Sequence, residues 1–496
     1  MTQKIKEEWF SDIRTNVLAG IVVALALIPE AISFSIIAGV DPKVGLYASF
    51  SMAVVLAFIG GRTAMISAAT GAMALVMVTL VKEHGLQYLL AATILTGIIQ
   101  VFLSYIGIHK LMSFVARAVV IGFVNALAIL IFMAQLPELT NQTWHVYALV
   151  AVGLGIIYLF PYVPKIGKVI PSPLVNIVVL TLFVYFVDWD IRNVGDMGAL
   201  PDTLPIFMLP DIPFNFETLQ IIFPYAFTLA FVGLLESFMT ATIIDDRTDT
   251  KSDKQKEARG QGIANIATGS IGGMAGCAMI GQSVLNIQNG ARTRLSTFIA
   301  GFLLLILVVF FSDLISIIPM AALVAVMIMV SISTFNWQSF DDLRKLPIST
   351  NIVMLTTVAI TVGTHNLALG VFSGVLLASL FFANKISHFM YHEVRYYDEG
   401  QTKIYDIHGQ VFFNSSDKFY ELFDYKETIA KVIIDVHKAH FWDVSAVFAL
   451  DKAVIKLRKE GKEVEVVGRN EASATIIDRF GIHDKPQEIE KVMGGH

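Results

Sequence analysis

The chain has 496 residues, 55% of them hydrophobic and only 16% charged, with a formal net charge of −5 and a mean hydropathy of +0.66. Soluble domains carry nearer to about 25% charge, and the excess of acid over base excludes a nucleic-acid-binding surface. The lone cysteine, Cys277, excludes a disulfide framework.

The opening residues, MTQKIKEEWF, lack the apolar centre of a signal peptide. Beyond them come apolar runs that suit a bilayer, among them 119–133, 149–160, 174–187, 298–311 and 352–362 with their flanks. Crossing about 30 Å of hydrocarbon takes roughly 20 helical residues, and the chain holds about fourteen crossings, several of them broken. Basic residues fall in alternate loops: Lys4, Lys6 and Arg14, then Arg62, Lys110 with Arg117, Lys165 with Lys168, the group 247–259, Arg292 with Arg294, Arg344 with Lys345, and Lys385. This bias predicts an inner (plasma) membrane protein with both termini in the cytoplasm.

The two halves of the membrane region echo each other. ALIPEAISF places Glu30 inside an apolar helix, and GLLESFMTATII places Glu236 in the same setting. Each is followed by a small-residue stretch that breaks the helical pattern, MISAATGAMALV (65–76) and GGMAGCAMIGQSVLN (272–286). Seven spans separate the echoes, and an odd number inverts the second copy, so the pattern predicts inverted repeats over roughly 12–188 and 217–386. After about residue 388 the chain changes character. KIYDIHGQVFF and KVIIDVHK read as strands, SAVFALDKAVIKLRKEG as an amphipathic helix ending at Gly461, EVEVVG as a strand and NEASATIIDRFGI as a helix. Residues 389–496 are therefore expected to form a small α/β domain with a mixed or parallel sheet.

Non-helical backbone at membrane depth survives only where protein covers it or it lines a cavity. Extended segments over 65–70 and 275–280, each leading into a helix start near Gly71 and near Gly281–Ser283, would turn unpaired N–H groups and positive dipole ends toward one point. Such a point holds an anion without a basic side chain. The same small residues also suit close helix–helix contact, and the pattern leaves both readings open. Glu30 and Glu236 are intramembrane carboxylates, which carry a cost that function usually explains. A carboxyl removed from water favours its neutral form, so Glu30 is a candidate proton carrier. Thr240 sits one turn after Glu236 and could share a proton or cation with it. Gln282 and Ser283 are neutral donors at the second helix start, or helix caps. Asn125 and Asn176 read as bridges between helices, His365 as surface, and Asp443 with Ser445 as a helix cap more readily than a phosphosite. No metal cluster, nucleophile–base pair or phosphate loop appears, so no enzyme activity and no cofactor is expected.

LIPEAISFSIIAGVDPKVGLYASF resembles the opening signature of the SulP family, the sulfate permease or solute carrier 26 group. VGLLESFMTATIIDD with EARGQGIANIATGSIGG, and GARTRLS, are similar to its mid-chain motifs, and IIDVHKAHFWDVSAVFAL resembles the core of a STAS domain. The resemblance runs nearly end to end. It implies a multi-pass helical protein of 7+7 inverted repeats divided into core and gate units, an elevator-type movement, a homodimer and a cytoplasmic STAS domain. It implies that the anion lies between the third and tenth helices, around Ala69, Thr70, Gly71, Ala72, Gly281, Gln282 and Ser283, with Phe34 lining the pocket. Glu30 matches a position that is Gln in many animal members, and Glu236 with Thr240 match an acid and Thr that hold sodium in bicarbonate-transporting members. Where many relatives read Ser-Arg-Ser, this chain reads Gly281, Gln282, Ser283, and Ala72 stands where several place Phe. A fixed positive charge is absent and the pocket is roomier.

The expectation is a proton-coupled symporter of a small inorganic or carboxylate anion. Glu30 would be the proton carrier. The rivals are a sodium-coupled bicarbonate transporter using Glu236 and Thr240, a nucleobase permease, and a membrane-anchored scaffold whose STAS domain binds partners.

Overall fold

The computed structural model describes residues 2–110, 115–164, 167, 170–398, 401–468 and 471–483. Lys165 and Lys168, and residues 484–496 of the expected C-terminal domain, lie outside the described residues. The chain divides into two compact units, Met1–Val375 and Leu376–His496.

In the first unit a short helix α1 (Thr2–Phe10) precedes α2 (Ile13–Ala38) and α3 (Pro42–Ile59). The chain then runs extended through β1 (Ser67–Ala69) into α4 (Gly71–His84), followed by α5 (Leu86–Ile106), α6 (Arg117–Leu139), α7 (Trp144–Leu159) and α8 (Ser172–Val187). The second half repeats the order. It runs through α9 (Phe216–Thr248), α10 (Lys254–Gly269), β2 (Gly276–Ala278), α11 (Ile280–Gln288), α12 (Arg294–Phe310), the short α13 (Ser312–Ser316), α14 (Met320–Thr334), the short α15 (Ser339–Lys345), α16 (Ile348–Thr364) and α17 (Leu367–Ser387). Among the described residues, eight helices are long and apolar enough to cross a membrane, and α8, α12 and α16 are shorter apolar helices. With β1–α4, α10 and β2–α11 they make fourteen segments, seven in each inverted half. Two groups pack mainly among themselves: α2–α5 with α9–α12, the core, and α6–α8 with α14 and α16, the gate. A few contacts of α2 and α4 with α14, α6 and α8 join them.

Glycine sets how closely the core helices cross. A Cβ on Gly97 of α5 would lie 2.3 Å from the Gly262 carbonyl oxygen of α10, and one on Gly262 would lie 2.6 Å from the Gly97 carbonyl oxygen. The two backbones touch there, the small-residue packing that replaces a hydrophobic driving force inside lipid. This contact explains how α10 belongs in the bundle although it is the least apolar of the spans. Its face carrying Glu257, Gln261 and Asn265 is buried, and the Glu257 carboxylate, the Gln261 Nε2 group and the Asn265 amide all find partners there. Asn125 and Asn176 bridge helices as read from the sequence: Asn125 Nδ2 donates to Ser339 Oγ at 3.0 Å, and Asn176 Nδ2 to the Ala322 carbonyl at 3.0 Å. His365 is exposed, at φ 52°.

The second unit holds a four-stranded sheet in the order β3 (Tyr391–Tyr397), β4 (Thr402–Val411), β5 (Lys431–Phe441), β6 (Glu463–Val467). β3 runs antiparallel to β4, and β4, β5 and β6 are parallel. Ile407, Val411, Ile434, Val436 and Phe441 from one face pack with Phe419 of α18 (Ser416–Glu421), Leu450 and Val454 of α19 (Val444–Lys459) and Ile477 of α20 (Glu471–Phe480). Asp443 caps α19, accepting the Ala446 N–H at 2.9 Å, and its other oxygen accepts the Phe413 N–H at 2.8 Å. Gly461 leaves that helix at φ +80°, the left-handed exit that favours glycine. The sequence pattern missed β3. As a largely exposed edge strand, YHEVRYY has no buried face to impose alternation.

Glu393, Asp406 and His408 bring ligand atoms within 4.8 Å of one another. Arg395 and Lys438 already pair with Asp406, so the cluster is an ion-pair network, with two fixed cations opposing a metal. Burial pushes the Asp406 carboxyl up, but Arg395, His408 and Lys438 outweigh it and hold the group below the usual aspartate value of 3.8. Its stabilising contribution is therefore complete above that value and lost as pH falls through the lower folded one. Asp406→Asn is expected to speed amide exchange in β3 and β4 at neutral pH, and the difference from the parent should close in acid.

Candidate functional site

The two broken segments meet. β1 and β2 pair antiparallel, with Ser67 opposite Ala278, Ala68 opposite Cys277 and Ala69 opposite Gly276. Three residues per strand leave edges that would be orphaned at membrane depth, and side chains from the flanking core helices close them. Ser49 Oγ accepts the Ala69 N–H at 3.3 Å, and Ser237 Oγ accepts the Ala278 N–H at 3.2 Å. Asn265 both accepts from the Gly276 N–H at 2.9 Å and donates to its carbonyl at 3.1 Å. The pair is a fixed strut that joins the halves of the chain and sets where α4 and α11 begin.

Those two helix starts differ. In α4 the first intrahelical bond runs from the Ala74 N–H to the Thr70 carbonyl at 2.9 Å, and the Thr70 hydroxyl caps the turn by accepting from Met73. Gly71 and Ala72 carry the open N–H groups of that turn. Ala69, Thr70, Gly71 and Ala72 are all buried, and a Cβ on Gly71 would lie 2.9 Å from Phe34 Cε1 and 3.0 Å from Ile131 Cδ1. The Phe34 ring thus lies against the start of α4. At α11 the first bond is Ser283 N–H to Met279 carbonyl at 3.0 Å, which leaves the Gly281 and Gln282 N–H groups open. Gly281 is exposed, and a Cβ there would meet nothing within 4 Å. Room for a ligand therefore lies at α11. The basic residues nearest in sequence are turned elsewhere: Arg62 to Thr248, Thr250 and Asp245, Arg292 to the Ile287 and Ala291 carbonyls, and Arg294 to Glu8 and the Ala57 and Gly60 carbonyls.

Each intramembrane acid reaches across the repeat boundary. Glu30, half-buried on α2, accepts the Gln282 Nε2 proton at 3.0 Å. Gln282 Oε1 is buried and has no hydrogen-bond partner among the described residues. Glu236 is buried on α9 and accepts from Cys277 Sγ at 2.9 Å, and that sulfur lies 3.1 Å from Thr70 Oγ1. With its own proton given to Glu236, the thiol receives the Thr70 hydroxyl proton. The Thr240 hydroxyl donates its proton to the Glu236 backbone carbonyl at 2.8 Å. Ser283 is likewise occupied: its hydroxyl accepts the Ile66 N–H at 2.9 Å and donates back to the Ile66 carbonyl at 3.3 Å. Of the neutral donors read at the second helix start, Gln282 points to the site and Ser283 secures the strand entry.

Sequence reasoning missed the polar face of α10. Glu257 accepts from the Gly61 N–H at 2.7 Å, the Arg62 N–H at 3.2 Å and Gln261 Nε2 at 2.9 Å, while Gln261 Nε2 also reaches Ser67 Oγ at 2.8 Å. Asn265 Nδ2 donates to Gln100 Oε1 at 2.9 Å. The signal was present as acid, amide and amide at intervals of four in EARGQGIAN, one helix face.

A cavity of about 830 Å³ opens elsewhere, among α2, α4, α6, α9, α14 and the α16–α17 turn. Its lining includes Ser33, Ile37, Val76, Leu130, Pro224 and His365 and none of the residues singled out in the sequence for the anion. It approaches them through Ser33, beside Phe34, and Leu75, one turn beyond Gly71.

Residues 13–152 and 139–357 match the sequence profile of the sulfate permease family, and residues 394–493 match that of the STAS domain. YbaR of Bacillus subtilis, which carries the name of a sulfate transporter, is 56% identical over 476 residues, covering 96% of this chain and 98% of YbaR. The bicarbonate transporter BicA of Picosynechococcus is 24% identical over 511 residues, covering 92% of this chain and 89% of BicA. Among solved structures, the transmembrane domain of a cyanobacterial BicA superposes with a TM-score of 0.64 at 25% identity, covering 74% of this chain and 98% of that one. Murine Slc26a9 superposes with a TM-score of 0.82 at 16% identity, covering 97% of this chain and 90% of that one, a likeness of fold.

Proposed function

The chain belongs to the sulfate permease family of anion transporters, and we propose that it moves one small anion together with a proton across a bacterial-type inner membrane. In this reading the anion sits against the open start of α11, on the Gly281 and Gln282 N–H groups, with the buried start of α4 (Ala69, Thr70, Gly71, Ala72) and Phe34 behind it. The coupling proton sits on Glu30.

The observation that carries the reading is the Glu30–Gln282 pair. As a carboxylate, Glu30 accepts one bond and leaves Gln282 Oε1 orphaned, a cost of about 1–3 kcal/mol for a buried group. A neutral carboxyl has an O–H to offer that oxygen and closes a two-bond ring with the amide. Gln282 is also the residue whose N–H would face the anion. Protonation thus removes a negative charge beside the anion and satisfies the amide that shapes its pocket. Each ligand then favours the other, and by linkage the preference is mutual.

Sodium coupling at Glu236 and Thr240 finds less support. The hard cation wants oxygen ligands, whereas one of the groups bonded to the Glu236 carboxylate is a thiol, and the Thr240 hydroxyl already donates to a backbone carbonyl. Glu236 with Cys277 and Thr70 acts as a lock between the halves of the core. An elevator-type movement of core against gate suits the sparse contacts between those two groups. The homodimer, the cytoplasmic placement of both termini and the identity of the anion, whether sulfate, bicarbonate or a small carboxylate, are part of the same proposal.

The empty space at Gly281 gives a clean test. Gly281→Ala adds a methyl that touches nothing, so the protein should fold as before. Uptake assays should show KM raised by roughly fivefold, equivalent to about 1 kcal/mol, and more for larger anions than for smaller ones. An unchanged KM across anion sizes would remove the anion from the start of α11.

A further inference from the structure

The large cavity comes up to the anion site and stops, and Ile131, at which it stops, has no part in the transport reading. On each of three helices the lining begins just beyond a buried contact. Ser33 and Ile37 of α2 line the cavity but Phe34 does not, Leu130 and Ala134 of α6 line it but Ile131 does not, and on α4 it starts at Leu75, one turn past Gly71. Phe34 and Ile131 are 3% and 2% exposed, and both close over the same glycine. A Cβ on Gly71 would lie 2.9 Å from Phe34 Cε1 and 3.0 Å from Ile131 Cδ1. Phe34 and Gly71 belong to the core and Ile131 to the gate, so the contact is made across the divide between the two groups. Glu30 lies one turn before Phe34, on the same face of α2. Along that helix the order is therefore Glu30, contact, cavity.

The cavity occupies the ends of its helices that lie away from the basic loops. On α6, which opens with Arg117, it takes the far end, from Leu130 to Glu138. On α9 it takes Pro224 to Thr228, whereas Arg247 stands at the other end. On α16 it takes Thr364, the last residue, whereas Arg344 and Lys345 precede the first. The positive-inside bias assigns the cavity end to the external face. Its charge suits an anion in passage. Among the described residues that line it, Glu138 is the one acid, and Arg192 Nη2 pairs with it at 2.7 Å. Beyond Leu75 the way to α11 is shut by two apolar side chains. They offer an ion nothing to replace its hydration, which is how hydrophobic constrictions hold ions back.

We propose that Ile131 is the gate's half of an external seal, closed against Phe34 and Gly71 of the core, and that the cavity is the vestibule through which the anion reaches the start of α11 when the seal parts. The inference rests on the anion site and orientation proposed above. The cavity is a passage in this account, and the anion rests beyond it.

The seal is tested on the full-length protein in proteoliposomes, loaded with whichever of labelled sulfate, bicarbonate or fumarate the parent takes up. With no pH gradient, Ile131→Ala is expected to raise efflux driven by an imposed membrane potential several-fold over the parent. Ile131→Val, which keeps the branched Cβ and serves if the alanine variant folds poorly, should raise it less. A trapped dye much larger than the anion should stay inside in both. Efflux equal to the parent's in the folded variants would overturn the seal, and so would escape of the dye, which marks general disruption. The vestibule is tested separately with Ala134→Cys, since native Cys277 is buried. In right-side-out vesicles a charged, impermeant thiol reagent added outside should modify it and block uptake, and failure to react from outside would overturn the external assignment. An anion site misplaced at α11 shows instead as an unchanged KM in Gly281→Ala, so the two failures are distinguishable.

Discussion

Glu30→Gln is expected to uncouple transport from the proton gradient while leaving the anion site intact. The amide has the size of the acid and the neutral charge of its protonated form, so it can exchange two hydrogen bonds with Gln282 and hold the pocket in its anion-ready shape. It has no proton to release. In proteoliposomes the parent should accumulate anion when the outside is made acidic, and the variant should show no response to the imposed gradient. Anion-for-anion exchange, which needs no net proton movement, should persist at a rate within a few fold of the parent. Glu236→Gln separates the two acids. It keeps an acceptor for the Cys277 thiol, so gradient-driven uptake should survive in that variant with reduced thermal stability. A Glu30→Gln protein whose uptake still follows the pH gradient would remove Glu30 from the coupling role.

Gly276→Val is expected to abolish transport through the backbone. A Cβ at this position would stand 2.4 Å from the Ala68 carbonyl oxygen and 2.9 Å from Met52 Cγ, and a contact under 3 Å with a backbone atom cannot be relieved by rotating a side chain. The strand carrying it must move, which breaks the Ala69–Gly276 end of the strut and both bonds to Asn265. Overpacking of this kind costs about 1–3 kcal/mol, and two buried hydrogen bonds add about 1 kcal/mol each. The purified variant should melt well below the parent and show background uptake even in the fraction that stays folded. Gly281→Ala is the matched control, since it alters a glycine of the same segment without a clash.

Much of this was legible in the sequence because the membrane makes polar and small residues conspicuous. Glu30 and Glu236 stood out as acids in apolar runs, and the small-residue stretches at 65–76 and 272–286 marked breaks that the structure realises as β1–α4 and β2–α11. The spacing gave the repeats because the same polar punctuation recurs. What stayed hidden was pairing across the repeats. Nothing local in Cys277 announces that it donates to Glu236, nor does anything in Ser283 announce that it is spent on Ile66, since both partners are distant in sequence. The α10 face of Glu257, Gln261 and Asn265 was visible in its spacing. It went unread because the span is not apolar enough to look like one. β3 was missed for the opposite reason, as an edge strand with no buried side to pattern it.

The position of the transported anion decides the matter most directly. Cryo-electron microscopy of the protein saturated with a heavy congener of its anion, selenate in place of sulfate for example, should show density at the start of α11. That density should lie about 3 Å from the Gly281 and Gln282 N–H groups, beside Glu30 and without contact to any Lys or Arg. An anion held by a basic side chain, or lodged instead among Ile37, Leu130 and His365 of the large cavity, would contradict a site built from backbone amides alone.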